Sequence, residues 1–181
     1  MFHDHQSFSS VKGGETLTQL IVRPTANGTL QQIWDQYPAT TSHWDKVDEA
    51  SSDGDSTYLY ELSATGSYDT FLYSVPSIQG KINSISVYVL AKRVDDGGWA
   101  SPVVYLNGDY NYGTLYAVTT SYAQYGGAMT RPGGGSWTVA DLANIEFGVY
   151  LDCFLPGNEV RCTQVWMVID YTPPSSFGTI I

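Results

Sequence analysis

Cationic side chains are scarce in this sequence. Its 181 residues include eight lysines and arginines against eighteen aspartates and glutamates, which gives a formal net charge of −10. A protein that binds nucleic acid needs a basic face to neutralise phosphates, so we expect no nucleic-acid partner. No apolar run approaches the ~18 residues of a membrane-spanning helix, and an acidic surface discourages contact with anionic lipids. We therefore expect no membrane partner either.

The first residues also lack the features of an export signal. The segment MFHDHQSFSSVKGGET has neither a basic beginning nor an apolar centre, so it does not read as a signal peptide. Unless a signal has been removed, the protein is expected to leave its cell by another route, such as lysis or release in a particle. The expected location is the surface of a virion or another extracellular particle.

Residue patterns typical of catalysis are missing as well. His43 is the only histidine outside the first five residues, and no G-x-S-x-G motif occurs. Glu146 and Asp152 fall on one face of a predicted strand, but six residues of strand separate them by about 20 Å. That is too far for the paired carboxylates of a glycosidase. The sequence predicts a protein that is not an enzyme.

Short strands and turn residues dominate what is present. Runs rich in Val, Ile and Tyr arrive every 8–14 residues and are separated by Gly, Asn, Asp and Pro. The clearest is 81–94, where Ile85, Val87, Val89 and Ala91 alternate with their neighbours, as one buried strand face requires. Hairpins are predicted at 95–98 and at 107–109. This pattern predicts an all-β fold, a two-sheet antiparallel jelly-roll-like sandwich. We divide the chain into an N-terminal arm with a possible added strand (1–29), the sandwich (30–172) and a C-terminal tail (173–181).

The stretch 136–171 carries the most specific local signals. Thr138 or Ser136 can cap a short helical turn that runs to Leu142. A two-residue turn at 157–158 predicts a hairpin that would place Cys153 directly opposite Cys162, at about 4.5 Å between Cα atoms. The two residues could form a disulfide, or they could remain reduced thiols that act as small apolar residues. In the last strand, a bulge near 163–164 would let Cys162 and Val165 share a buried face. Without a bulge, this strand would be buried on both sides, as a central strand is.

Several of these motifs occur together in a known type of domain. They are W-x-x-V-D-E and D-G-D between Trp44 and Asp55, then S-T-Y-L-Y, W-T-x-A-D-L, F-G-V and T-Q-V-W-M-V-I-D-Y. Trp44 itself is expected to anchor a short strand. The set resembles a single-domain β-sandwich that is common in tailed-phage virion proteins and in environmental secreted or surface proteins. The resemblance covers about 34–172, implies a jelly-roll-like fold and a structural role, and brings no catalytic residue.

An acidic cluster is the candidate metal site. Asp48, Glu49, Asp53 and Asp55 lie within eight residues around a glycine, and hard oxygen ligands at this spacing could bind Ca²⁺. The spacing does not match an EF-hand loop, and Asp and Gly are also ordinary turn residues. Apart from a possible Ca²⁺, we expect no cofactor.

A tyrosine-rich segment is the candidate contact surface. Tyrosine set among small polar residues offers rigid, amphipathic contact area that can stack on sugar rings or seal a protein contact. The alternative is that these side chains form cross-strand aromatic pairs on a half-exposed sheet. The residues are Tyr105, Tyr110, Tyr112, Tyr122 and Tyr125.

Two functions follow from these observations. The first is a non-enzymatic structural protein of a virion or similar assembly: a capsid decoration, fibre or coat subunit that displays its sandwich. Its arm would add a strand to a neighbour through Leu17, Leu20, Ile21 and Val22, so that the partners are further copies of the chain or other virion proteins. The second is a secreted or surface carbohydrate-binding module that could depend on Ca²⁺ and whose partner is a surface glycan.

Overall fold

The structure, a computed structural model, describes residues 7–12, 15–33, 35–39 and 42–174. Over these residues the chain forms two antiparallel sheets, here called sheet A and sheet B, joined by loops and two 3-10 turns. The prediction of an all-β, two-sheet antiparallel sandwich is confirmed. The start of the predicted arm (1–6) and most of the predicted tail (175–181) lie outside the described residues.

Sheet A is built around its last strand. β13 pairs along one edge with β7, which in turn pairs with β11. Along its other edge β13 pairs with β2 at one end and β5 at the other, and these continue to β1 and β4. The strands are β1 (Ser7–Lys12), β2 (Glu15–Val22), β4 (Asp35–Tyr37), β5 (Tyr58–Glu61), β7 (Lys81–Arg93), β11 (Ala123–Ala128) and β13 (Val160–Thr172).

Sheet B is built around β12. This strand lies between β6 and β8; β6 continues to β3, while the far edge of β8 pairs with β9 at one end and β10 at the other. The strands are β3 (Ala26–Gln31), β6 (Ser67–Leu72), β8 (Gly98–Leu106), β9 (Asp109–Tyr112), β10 (Tyr116–Ala117) and β12 (Ile145–Cys153).

The core lies between the two sheets and consists of alternate residues of the long strands. The predicted alternation in β7 is confirmed, since Ile85, Val87, Val89 and Ala91 are all fully buried. Sheet B contributes the equivalent face of β12, and sheet A adds that of β13. Fully buried side chains from these two strands include Phe147, Val149, Leu151, Val165, Met167 and Ile169.

Two local predictions for the last quarter of the chain are also confirmed. The register of β13 against β7 shifts between Cys162 and Gln164, and this irregularity leaves both Cys162 and Val165 fully buried. The 3-10 turn Val139–Ala143 begins after Thr138, whose hydroxyl accepts a hydrogen bond from the Asp141 amide while the Asp141 carboxylate accepts one from the Thr138 amide. This reciprocal capping fixes the turn that closes one end of the core.

The predicted hairpins at 95–98 and 157–158 are wrong. β7 and β13 belong to sheet A, whereas β8 and β12 belong to sheet B, so each of these connections crosses between the sheets. Cys153 and Cys162 therefore lie on strands of opposite sheets, and both are free, buried thiols. Each donates to a carbonyl, Cys153 to Glu61 and Cys162 to Gln164. The alternative of two reduced thiols describes the structure.

The extent of the predicted arm needs correction. Leu17–Val22 belong to β2, whose residues 18–22 pair with β13 of the same chain, and Leu20 and Val22 are buried in the core. β3 likewise pairs with β6. Residues 15–31 are thus part of the sandwich, because their apolar positions complete its core, and the buried ones are not free to contact a neighbour.

Trp44 also differs from its prediction. It begins a 3-10 turn, Trp44–Lys46, rather than a strand. The Asn27 side-chain oxygen accepts hydrogen bonds from the amides of His43 and Trp44, and the buried Asp69 carboxylate binds the His43 ring at 2.5 Å. These tertiary hydrogen bonds hold the backbone in a turn that sequence alternation alone does not indicate.

Candidate functional site

The outer face of sheet B carries a cluster of four tyrosines. Tyr110 and Tyr112 extend from β9, Tyr150 from β12 and Tyr68 from β6. Directly paired residues of an antiparallel ladder share a face, and Tyr68 is paired with Tyr150. The inner positions of β12 beside Tyr150 are the core residues Val149 and Leu151, so this row faces away from the core.

Tyr112 is at the centre of the cluster and contacts the other three rings. Its ring centroid lies 5.3 Å from that of Tyr110, 5.4 Å from Tyr150 and 5.9 Å from Tyr68, each in an edge-to-face arrangement. Tyr68 also lies 5.6 Å from Tyr110. These are favourable aromatic geometries, and they hold the rings in fixed positions on the sheet.

The rings of β9 and β6 meet across the two strands that separate them, and Tyr150 extends from one of these strands. β9 and β6 are separated by β8 and β12, a span of about 14 Å at the usual strand spacing. The rings from both sides must lean inward over these strands to touch. Gly148 lies between them in the ladder, paired with Val103 on one side and Thr70 on the other, and has no side chain to occupy the space.

Local backbone features place β9 for this contact. The predicted turn at Asn107 and Gly108 is confirmed: both have positive φ, 54° and 100°, as a two-residue hairpin turn requires. Pro102 lies on the edge of β8 between the residues that pair with β9 and those that pair with β10. Its carbonyl accepts a hydrogen bond from the Gly113 amide. A side chain on Gly113 would meet the Pro102 ring at 2.6 Å, so only glycine lets the chain pass here.

A groove runs beside the tyrosine cluster. It has a volume of about 300 Å³ and is lined by Ser101, Tyr112, Gly113, Leu115 and Tyr150. Tyr112 is 42% exposed, Tyr110 45% and Leu115 52%, so the groove and its rim are open to solvent. The arrangement presents apolar ring surface next to phenol hydroxyls. We call the four tyrosines and this groove the tyrosine face.

The phenol groups of Tyr112 and Tyr150 remain protonated at neutral pH. The pKa of Tyr112 is raised well above its ordinary value, first by burial and then by the neighbouring Tyr68, Tyr110 and Tyr150. Burial also raises the pKa of Tyr150 and of Asp152, whose carboxylate accepts from the Tyr150 hydroxyl at 3.3 Å. Protonated phenols can donate and accept hydrogen bonds, so the tyrosine face combines apolar surface with neutral polar groups.

The structure divides the five predicted tyrosines into two groups. Tyr105 lies directly opposite Tyr110 in the β8–β9 ladder and so shares the outer face of sheet B. Tyr122 instead donates to Asp55, with the Lys92 amine 4.7 Å from its ring centroid. Tyr125, on β11, packs against the core and accepts from the Thr119 amide. Tyr122 and Tyr125 thus belong with sheet A rather than with the tyrosine face.

The sequence analysis did not predict two members of the tyrosine face, Tyr68 and Tyr150. Tyr68 and Tyr150 stand alone in their strands, outside the tyrosine-rich segment. The signal that could have found Tyr150 is its place in the alternation of β12, at an outward position between buried aliphatic residues. What the sequence does not give is the strand order that brings β6, β12 and β9 onto one sheet.

Three residues of the predicted acidic cluster accept hydrogen bonds from other side chains of the protein. Asp55 accepts from Lys92, Arg161 and Tyr122, which together hold its pKa at about 2. Asp53 accepts from Thr57 and Thr163, and Glu49 from Thr57. Within the described ranges, no group of three or more His, Cys, Asp or Glu side chains could hold a metal ion. A Ca²⁺ site at Asp48, Glu49, Asp53 and Asp55 stays a prediction.

The chain shows little similarity to known proteins. No protein-family model and no curated protein matches the chain. Among solved structures the chain is similar to the CBM22-1 xylan-binding domain from Paenibacillus barcinonensis Xyn10C, at 14% identity and a TM-score of 0.41, over 92% of this chain and 94% of that domain. So weak a likeness bears no functional conclusion. Within the described part of the chain, no helix has the length and apolar character needed to cross a membrane.

Proposed function

We propose that this protein is a non-catalytic carbohydrate-binding module that binds glycans at the tyrosine face. The observation that supports this is the convergence of Tyr68, Tyr110, Tyr112 and Tyr150 beside an open groove on the outer face of sheet B. A sugar ring has apolar C–H faces and a rim of hydroxyls. Aromatic side chains with polar tips complement both features at low entropic cost, because they have few rotatable bonds.

The rigidity of the cluster supports the same proposal. Each ring is held by at least one other at 5.3–5.9 Å, so the surface exists before a ligand binds. Binding to a preformed surface avoids the cost of ordering side chains, which for rotamer-rich residues is about 0.5–1.5 kcal/mol each. The ring contacts also agree with the alternative of cross-strand aromatic packing, so a binding measurement has to separate the two.

A glycan array followed by calorimetry on the best ligand tests this proposal. Tyr112→Ala removes the central ring and should weaken binding by about tenfold or more, the usual cost of truncating a central aromatic contact. Tyr37→Ala is the matched control, because Tyr37 is a 50% exposed tyrosine on β4 of sheet A. It should bind as the wild type does. Absence of binding to any glycan, or equal loss in both variants, would contradict the proposal.

Assembly through β1 is the second candidate function, and one observation favours it. β1 is an edge strand of sheet A, and among the described residues it pairs with β2 alone. The side chains of Ser7–Ser10 are exposed, with Phe8 at 58%. A six-residue strand with a free edge can accept a strand from another chain. A particle component, such as the predicted virion decoration, fibre or coat subunit, would use such pairing.

Light scattering after size exclusion, over a range of concentrations, tests this second candidate. The full chain is expected to form concentration-dependent dimers or larger species, and a chain that lacks residues 1–12 is expected to be monomeric. A thermal melt of the shortened chain checks that the sandwich is intact. The same monomeric mass for both chains would end the assembly proposal, and it would leave glycan binding unaffected.

A further inference from the structure

The two sheets differ completely in the cations that their strands carry. None of the six strands of sheet B contains a lysine, arginine or histidine. Three of the chain's eight cations are in turns and loops, at Arg23, Lys46 and Arg131. The other five are all on strands of sheet A: Lys12, Lys81, Lys92, Arg93 and Arg161.

Several of these cations already form ion pairs with carboxylates of the same chain. Lys92 and Arg161 both bind Asp55, at 2.6 and 2.9 Å, and Arg161 also binds Glu159. Arg131, in the loop after β11, binds both oxygens of Asp141 and the Gly134 carbonyl. Ion pairs of this kind fix the position of the cation and reduce its availability to a ligand on another surface.

Carboxylates, in contrast, occupy the outer face of sheet B. Asp152 lies two residues from Tyr150 on β12 and accepts from its hydroxyl at 3.3 Å. Glu146 shares that face at the other end of β12, where it accepts from the amide and hydroxyl of Thr29 and from the hydroxyl of Thr70. An anionic ligand on the tyrosine face would meet the Asp152 charge and no cation from the strands of its own sheet, whereas the Glu146 carboxylate is buried.

We infer that the tyrosine face selects neutral or cationic glycans and discriminates against anionic ones such as uronic-acid oligosaccharides. This inference rests on the proposed function and names the class of sugar that the site takes. Recognition of a carboxylate or sulfate normally uses lysine or, above all, the paired donors of arginine. The tyrosine face offers neutral phenols and the Asp152 carboxylate in their place.

Matched ligands test this inference. Oligosaccharides of one linkage are compared as the neutral hexose and as the corresponding uronic acid, for several backbones, by calorimetry at pH 7. At 20 mM salt the uronic-acid form should bind about fivefold or more weakly, the ratio that corresponds to ~1 kcal/mol between charges a few ångströms apart in water. At 500 mM salt the difference should shrink, because added salt screens exposed charges, while the affinity of the neutral ligand should stay constant.

A variant identifies the charge that is responsible. Asp152→Asn keeps a side-chain acceptor for the Tyr150 hydroxyl and removes the negative charge, so the ratio of neutral to uronic-acid affinity at low salt should fall towards one. Equal affinity for both ligand forms in the wild-type protein, or tighter binding of the uronic acid, would overturn the inference and leave the proposed function in place. Failure of every ligand to bind, at either salt concentration, would overturn the proposed function and this inference with it.

Discussion

The close approach of β12 to β6 at Gly148 gives a sharp test of the sheet B register. A methyl group on Gly148 would lie 1.8 Å from the Asp69 carbonyl oxygen and 2.8 Å from the Thr70 Cα atom. Both atoms belong to the backbone of β6 and cannot rotate away. Gly148→Ala must therefore push apart two paired strands beneath the tyrosine face.

The expected size of this effect follows from that geometry. Overpacking in a well-packed interior typically costs 1–3 kcal/mol, and a clash with backbone belongs at the upper end, so we expect about 3 kcal/mol. For a chain of this length that loss lowers the melting temperature by about 6–12 °C. Differential scanning calorimetry measures the melting temperature, and urea denaturation provides the free energy of unfolding.

Gly127→Ala is the matched control for Gly148→Ala. Gly127 is also in a strand, on β11, but a Cβ atom there meets nothing within 4 Å and its φ lies outside the left-handed region. This variant should melt at the wild-type temperature or slightly above it, because alanine restricts the unfolded chain more than glycine does. A Gly148→Ala protein as stable as wild type would refute the described pairing of β6 with β12.

Two further predictions concern stability and cysteine chemistry. Asp141→Ala removes the carboxylate that accepts hydrogen bonds from the Thr138 amide and from Arg131. The free energy of unfolding, measured by urea denaturation at pH 7, should fall by about 2 kcal/mol. Hydrogen bonding from Arg131 holds the pKa of Asp141 below its ordinary value. The stabilisation that Asp141 provides is therefore present above about pH 4 and is lost as the pH falls through the lower folded-state pKa. An equal loss of unfolding free energy in Asp141→Ala at pH 7 and at pH 2 would contradict this. Burial raises the pKa of Cys153 to about 11 and that of Cys162 to about 12. Iodoacetamide at pH 8 should therefore modify neither thiol in the folded protein. It should modify both thiols in unreduced, denatured protein, and mass spectrometry measures both results.

The sequence predicts most reliably what depends on neighbouring residues. The alternation of Ile85 to Ala91 identified the buried face of β7, and Thr138 and Asp141 stand three apart, as a capping pair does. The bulge that was predicted near 163–164 is present, and it lets Cys162 and Val165 share a buried face. In each case the physical constraint acts within a few residues.

The sequence fails where the same local signal fits two long-range outcomes. Gly157 and its neighbours suit a tight hairpin, yet the chain uses that segment to cross from sheet B to sheet A. Leu17–Val22 reads equally well as a free strand and as the β2 partner of β13. Only two of the four tyrosines of the tyrosine face were predicted, for the same reason. Tyr110 and Tyr112 are close in sequence, whereas Tyr68 and Tyr150 are brought to them only by the order of the strands.

The central position of β13 has a consequence for how the protein is made. β2, β5 and β7 are all synthesised before β13, yet each is paired with it in sheet A. Until Val160–Thr172 has left the ribosome, these strands have exposed edges. The pairings with β2 and β5 that must then form span more than half of the chain, which slows folding. A chain that ends prematurely before Val160 cannot close its core, so only a translation product that includes β13 can present a stable tyrosine face.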